Sequence, residues 1–237
     1  MKINPFYIIP NLFTATSAFL GILSIIYASN GKIEFACWFV VVSMILDGLD
    51  GRVARMTNTS SKFGVEFDSL CDVIAFGCAP AMLLYFSIGH SYGRFGAMTS
   101  CLFVVFGAIR LARFNITTSD ESSRYFIGLP IPSAAIFVVA MIVLEKRYAI
   151  FSNHSFILLV AAFLIGILMV SNVRYPNFKH TKWNLAKMIF LIIILAAIFI
   201  RPMEIIFTCI SLYIVFGLLR CLYVLIAKVF FKKTNNS

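Results

Sequence analysis

DGLDGRVARMTNTSSKFGVEFDSLCD, residues 47–72, holds four of the chain's five aspartates: Asp47, Asp50, Asp68 and Asp72. The stretch lies at the mouth of two very hydrophobic segments. A carboxylate in or near lipid is costly, so four of them together mark a functional site. If 35–55 is a helix, Asp47, Asp50, Gly51 and Ala54 fall at i, i+3, i+4 and i+7, on one face, with Arg55 at the rim. If a second helix returns from about residue 64, Gly64, Asp68 and Asp72 fall at i, i+4 and i+8, again on one face. Thr57, Asn58, Thr59, Ser60 and Ser61 between them are polar loop formers able to cap the second helix. Two antiparallel helices would then aim two carboxylates each at a shared volume. Four carboxylates would repel one another there unless cations neutralised them, and clustered oxygen ligands suit hard divalent ions. Gly51, Ala54 and Gly64 remove side chains from the same stripes. That leaves room for a bulky ligand such as a metal-bridged nucleotide diphosphate, or for close helix packing.

Outward from this stretch the chain is a membrane protein. It has 237 residues, 61% of them hydrophobic, and a mean hydropathy of +0.94. A soluble domain of this size could not hide so much apolar surface. A span needs about twenty apolar residues. Eight segments qualify as expectations: 7–28, 35–55, 67–88, 94–114, 130–144, 155–173, 185–200 and 204–231. The fifth is short and starts in a Pro-rich stretch. The first lacks the basic start and cleavage site of a signal peptide and reads as a span. The expected fold is thus an all-α integral membrane bundle of about eight transmembrane helices, one domain over 1–237. The polar metal site sits at one face, and the tail 232–237 is expected to fray.

Charge sets an expected orientation. With the N-terminus inside and eight spans, fifteen of the twenty Lys and Arg residues fall on the cytoplasmic side. Both termini and the aspartate cluster are therefore expected at the cytoplasmic face of the cell (inner) membrane. The net charge of +10 reads as topology plus attraction to anionic headgroups, with no nucleic-acid module in view. Six scattered cysteines form no CxxC pair and read as apolar filler. His90, His154 and His180 are isolated and carry no assigned role.

The pattern Asp47-x2-Asp50-Gly51-x2-Ala54-Arg55-x8-Gly64-x3-Asp68-x3-Asp72 resembles the complete signature of the CDP-alcohol phosphotransferase family. The resemblance implies two divalent ions, Mg2+ or Mn2+, held by Asp47, Asp50, Asp68 and Asp72, with Asp72 also the general base. It implies that Gly51, Ala54, Arg55 and Gly64 contact the CDP moiety. Asn11 and Thr14, at the start of the first span, resemble the family's opening motif. GAIRLARFN (107–115), GLPIP (128–132) and MVSNVRYPNFK (169–179) resemble the branch that uses L-serine. The implied reaction takes CDP-diacylglycerol and L-serine to phosphatidylserine and CMP, in a homodimer surrounded by membrane lipids.

Chemistry agrees with that acceptor. Arg110 and Arg113 are i, i+3 neighbours near the end of the fourth span, and a guanidinium grips a carboxylate or phosphate well. They could equally mark the membrane boundary by snorkelling. Asn115 could bond a hydroxyl or amine, or cap its helix. Sister enzymes using glycerol 3-phosphate or an inositol phosphate are alternatives, though their phosphate-bearing acceptors call for a denser basic pocket. An ion-coupled transporter is a more distant one, since its acids would sit near the bilayer midplane, often with internal repeats.

Overall fold

A computed structural model describes residues 8–57, 59, 61–117, 125–150, 154–176 and 185–234. Each of the eight expected segments is helical. In chain order these are α1 (Ile8–Ser29), α2 (Ile33–Met56), α3 (Lys62–Asp72), α4 (Ala79–Ser87), α5 (Gly93–Thr117), α6 (Ile131–Tyr148), α7 (Phe156–Val170), α8 (Leu185–Ile200) and α9 (Pro202–Thr234). A π-helical turn, Val73–Cys78, joins α3 to α4, so Lys62–Ser87 is one continuous rod. Among the described residues, four helical stretches are long and apolar enough to cross a membrane: Ile8–Ser29, Lys62–Ser87, Gly89–Ile116 and Pro202–Val224. In α2, Glu34, Asp47 and Asp50 interrupt the apolar run; α6 ends in Glu145, Lys146 and Arg147.

Helix α1 presents a stripe of small residues, Thr14, Ser17, Ala18, Gly21, Ser24 and Ala28, all buried. Small side chains let helix backbones approach and let hydroxyls bond across the contact. Ser17 and Ser43 hydroxyls lie 2.7 Å apart, and Ser24 Oγ donates to the Ala36 carbonyl at 2.8 Å. At Gly21 the approach is closest: a Cβ there would fall 2.8 Å from Ala75 Cα in the π turn. One helix therefore fastens both acid-bearing helices, packing against α2 and against the whole α3–α4 rod.

The fifth expected segment, which starts in a Pro-rich stretch, is the hub of the bundle. Ala134, Ala135, Ile136, Val138, Val139 and Ala140 of α6 are all fully buried. A helix apolar on every side belongs inside protein. The shortness expected of 130–144 is not seen, since α6 has 18 residues against 15 in α7 and 16 in α8. Helix α6 packs against α2, α4, α7 and α9. Arg147 pairs with Glu204 at 2.8 Å, which also accepts from the Tyr148 hydroxyl at 2.8 Å, tying the end of α6 to the start of α9.

Among the described residues one element departs from the all-helical expectation. A two-stranded antiparallel ribbon, β1 (Tyr125–Ile127) with β2 (Arg174–Pro176), pairs Phe126 with Tyr175. It lies in the two longest connections, and three residues per strand are too few for a period-two signal. Helix α9 continues through Thr234; residues 235–237, like Asn58, Ser60 and His180, lie outside the described residues. The six cysteines are unpaired, as read.

Replacing Gly21 with leucine should force α1 off the rod. Overpacking of this kind costs about 1–3 kcal/mol. Thermal unfolding in detergent is expected to shift down; an unchanged melting temperature would contradict the close crossing.

Candidate active site

Helix α2 carries Asp47 and Asp50 into the site, and α3 carries Asp68 and Asp72. Carboxylate oxygens of Asp47, Asp50 and Asp68 lie within 4.8 Å of one another. The Asp72 carboxyl approaches that of Asp47 to hydrogen-bonding range. The four acids thus converge as helical spacing requires. Asp50 is buried at 6% exposure and accepts a short hydrogen bond from Thr14 Oγ1, which also donates to the Pro10 carbonyl at 3.1 Å. Asp68 Oδ1 is buried and has no hydrogen-bond partner among the described residues. A buried carboxylate oxygen left unpartnered is costly unless a cation completes it. A hard, all-oxygen cluster with one oxygen orphaned fits a divalent ion.

Ser61 caps α3: its Oγ accepts from Gly64 N–H at 2.9 Å. This is the capping read in the sequence, and it fixes where the returning helix begins, at Lys62.

Two cavities flank the acids. The first, of 210 Å³, is walled by α1, α2, α3 and the loop between the last two. Asn11, Thr14, Gly51, Ala54, Arg55 and Gly64 all line it, together with Asp50 and Asp68. A side chain at either glycine would meet residues that line the cavity. At Gly51 a Cβ would touch Arg55 Nη1 at 3.4 Å; at Gly64 it would press Ser61 Oγ at 3.2 Å and Asn11 Oδ1 at 3.4 Å. The second cavity, of 240 Å³, lies between α3, α5 and the start of α6, lined by Asp68, Asp72, Arg110 and Asn115 among others. Asp68 faces both cavities, so the acids stand between two separate chambers.

The two arginines part company. Arg110 is 7% exposed, lines the second cavity and lies 5.4 Å from the Phe114 ring centroid. Its Nε has no hydrogen-bond partner among the described residues. Arg113 points elsewhere. It donates to the carbonyls of Val170 (3.1 Å), Ser171 (3.0 Å) and Ile127 (3.3 Å) and to Asn172 Oδ1 (3.3 Å). These contacts clamp the ribbon and the end of α7 onto α5. The i, i+3 spacing put both arginines on adjacent turns, but only the packing of α7 reveals which one is engaged by carbonyls. Asn115 lines the second cavity, and its Nδ2 donates to Ser69 Oγ at 2.9 Å, bridging α5 to α3 at the cavity wall.

Sequence reasoning missed three contributors. Ser69 had no motif. Gly128, at φ +77°, lets the chain pass Met169 so closely that a Cβ would fall 2.2 Å from its carbonyl oxygen. The π turn directly after Asp72 left no periodicity signal, although such turns gather at functional sites.

Comparison with known proteins agrees with this geometry. A sequence model described as CDP-alcohol phosphatidyltransferase matches residues 7–170. A Helicobacter pylori protein named CDP-diacylglycerol–serine O-phosphatidyltransferase is 52% identical over the full length of both chains. A Methanocaldococcus jannaschii protein of the same name is 43% identical over 60% of this chain and 63% of its own. An archaetidylserine synthase of Methanothermobacter thermautotrophicus is 36% identical over 74% of this chain and 72% of its own. The chain belongs to the CDP-alcohol phosphatidyltransferase family.

Arg113→Ala should remove the clamp between α5, α7 and the ribbon. Hydrogen bonds to a charged group contribute about 1.5–3 kcal/mol each. A clear fall in thermal stability is expected; an unaltered melting temperature would mean the carbonyl bonds do not hold the ribbon.

Proposed function

We infer that this member of the CDP-alcohol phosphatidyltransferase family transfers the phosphatidyl group of CDP-diacylglycerol to the hydroxyl of L-serine, giving phosphatidylserine and CMP. The observation that carries the reading is the pair of chambers meeting at one acid cluster. One is lined by the six nucleotide-motif positions, the other by a buried arginine. The names of the full-length relatives support serine as the acceptor.

In this reading CDP lies in the first chamber, over Gly51, Ala54 and Gly64, with Asn11, Thr14 and Arg55 beside it. Asp47, Asp50, Asp68 and Asp72 would hold two divalent ions, Mg2+ or Mn2+. Such ions, when bound, neutralise phosphoryl oxygens and the departing CMP oxygen. Thr14 keeps Asp50 oriented by donating to it. Serine occupies the second chamber. Its carboxylate meets the Arg110 guanidinium, whose unpartnered Nε–H provides a donor. Its hydroxyl oxygen attacks the phosphorus that carries diacylglycerol. The P–O bond to CMP breaks, CMP leaves with the electron pair, and Asp72 takes the hydroxyl proton. Asp72 and Arg110 line the same chamber, so one end of serine can be held while the other is deprotonated.

The donor and phosphatidylserine are lipids whereas serine and CMP are soluble, so the site belongs at the membrane–water boundary. The basic bias supports a cytoplasmic position for that boundary and for both termini, in an inner membrane crossed by about eight helices. The exposed apolar flanks of α8 and α9 face lipid or a second copy in a homodimer.

Purified protein in detergent, given CDP-diacylglycerol and Mg2+ or Mn2+, should release CMP only when serine is added and should stop when the ions are chelated. Release that needs glycerol 3-phosphate or an inositol phosphate would move the chain to a sister activity. In the same assay Asp72→Asn is expected to lose turnover by at least about a hundredfold while CDP still binds with metal. Near-normal turnover would remove Asp72 as the base. Asp50→Ala should weaken Mn2+ binding itself; unchanged Mn2+ affinity would remove Asp50 as a ligand.

A further inference from the structure

One charge of the acceptor is still without a partner in the second chamber. Serine is a zwitterion. Its carboxylate is matched by Arg110 and its hydroxyl by Asp72, which leaves the ammonium. The clustered acids suit it poorly, because the divalent ions they would hold repel a further cation. Ser69 and Asn115 line the same chamber as Asp72 and Arg110. Ser69 lies one turn before Asp72 on α3, about 4.5 Å along the axis, and Asn115 follows Arg110 on α5 by about 7.5 Å. The Ser69 hydroxyl donates its one hydrogen to the Val65 carbonyl at 3.1 Å. It can therefore offer Asn115 only lone pairs. The amide meets it with nitrogen: Nδ2 donates to Ser69 Oγ at 2.9 Å. An amide held by its nitrogen turns its oxygen the other way. Asn115 Oδ1 accepts no hydrogen bond among the described residues. Two hydrogen bonds in series, ending on a backbone carbonyl, thus leave a half-buried carbonyl oxygen unengaged at the chamber wall.

We propose that Asn115 Oδ1 receives the ammonium of the acceptor and that Ser69 is its positioning residue, so that the chamber selects an amino acid over a hydroxy acid of the same shape. This rests on the reading of the second chamber as the place of serine. Carboxylate, hydroxyl and ammonium then fall to three separate side chains, Arg110, Asp72 and Asn115. A neutral carbonyl suits the cation here. Its bond to an ammonium is charge-assisted, yet it adds no further negative charge beside four carboxylates. With the amide reversed, Nδ2 would turn its hydrogens toward the ammonium and repel it. Ser69 disfavours that reversal, because Oδ1 would then face an Oγ whose only hydrogen is already engaged. The amide is thus set before the substrate arrives, and less freedom is lost on binding. Neither Ser69 nor Asn115 lines the donor chamber, so donor binding is independent of them.

The test is steady-state kinetics of the full chain in detergent with CDP-diacylglycerol and Mn2+, following phosphatidylserine made from labelled serine. Each protein is read by its serine KM and by its inhibition constant for 3-hydroxypropanoate, which is serine with hydrogen in place of the ammonium. Asn115→Ala should raise the serine KM roughly tenfold, the scale of one hydrogen bond to a charged group, with the 3-hydroxypropanoate constant and the donor KM within about twofold. Ser69→Ala frees the amide to turn and should raise the serine KM about threefold, the scale of a neutral hydrogen bond, again sparing the analogue. Ser69→Thr keeps the hydroxyl and should restore the wild-type value. Ser69→Ala carries the test if Asn115→Ala does not fold. An unchanged serine KM in the folded variant would overturn the proposal. So would a parallel rise for serine and its analogue, as loss of a merely structural bridge between α3 and α5 would give. The wild-type control separates the two levels. If CMP is released with an acceptor that has no ammonium and not with serine, the serine reading and this proposal fall together; serine-dependent release with an unmoved KM in the variants sinks the proposal alone.

Discussion

Four carboxylates aimed at one small volume set the terms for the rest of this structure. Left to themselves, Asp47, Asp50, Asp68 and Asp72 would drive α2 and α3 apart. The forces that hold those helices therefore act from outside the cluster. Helix α1 supplies them. Its small residues bring its backbone against α2 and the rod, its serines bond across to α2, and Thr14 donates directly to Asp50. Behind the site, buried α6 backs α2 and, on the other rod, the π turn and α4 that continue α3. A helix that is polar on one end and small along its length thus does mechanical and chemical duty together.

The same arrangement divides the site into chambers. Small residues at Gly51, Ala54 and Gly64 open space on the α1 side of the acids. On the other side α5 stands off far enough to leave a second space, bounded by Arg110 and by the Asn115–Ser69 bridge. Asp68 is common to both. A reaction that joins a nucleotide-linked lipid to a small soluble alcohol needs this partition, because the two substrates must meet at the phosphorus while otherwise being recognised by different chemistry. In the proposed reaction the glycines and alanine read shape on the donor side, and the guanidinium reads charge on the acceptor side.

The second half of the chain supports the acceptor side in particular. Arg113 is spent on backbone carbonyls of α7 and the ribbon, and Gly128 permits the close crossing that brings them there. Through Tyr175 and Gly217 the last long helix is keyed to the same ribbon. The Arg147–Glu204 pair and its Tyr148 hydrogen bond fix the far end of that helix against α6. Elements with none of the four clustered aspartates are thus tied to α5, the helix that carries Arg110.

Helical periodicity is a local property, and it is why so much was legible in the sequence. The i, i+3 and i, i+4 spacings fixed which faces carry Asp47, Asp50, Asp68 and Asp72, and where the small residues would open a space beside them. Polar residues at 57–61 announced a cap, and Ser61 provides it. Apolar runs marked each helix of the bundle. What the sequence could not contain is which distant groups meet. Arg110 and Arg113 are three residues apart with the same chemistry, and only the packing of α7 and the ribbon engages one with carbonyls while the other lines a chamber. The hub role of α6, the Thr14–Asp50 bond, the π turn after Asp72 and the ribbon were decided in the same way. Burial, crossing distance and hydrogen-bond partners belong to pairs of segments far apart in the chain, and they exist only once the helices have packed.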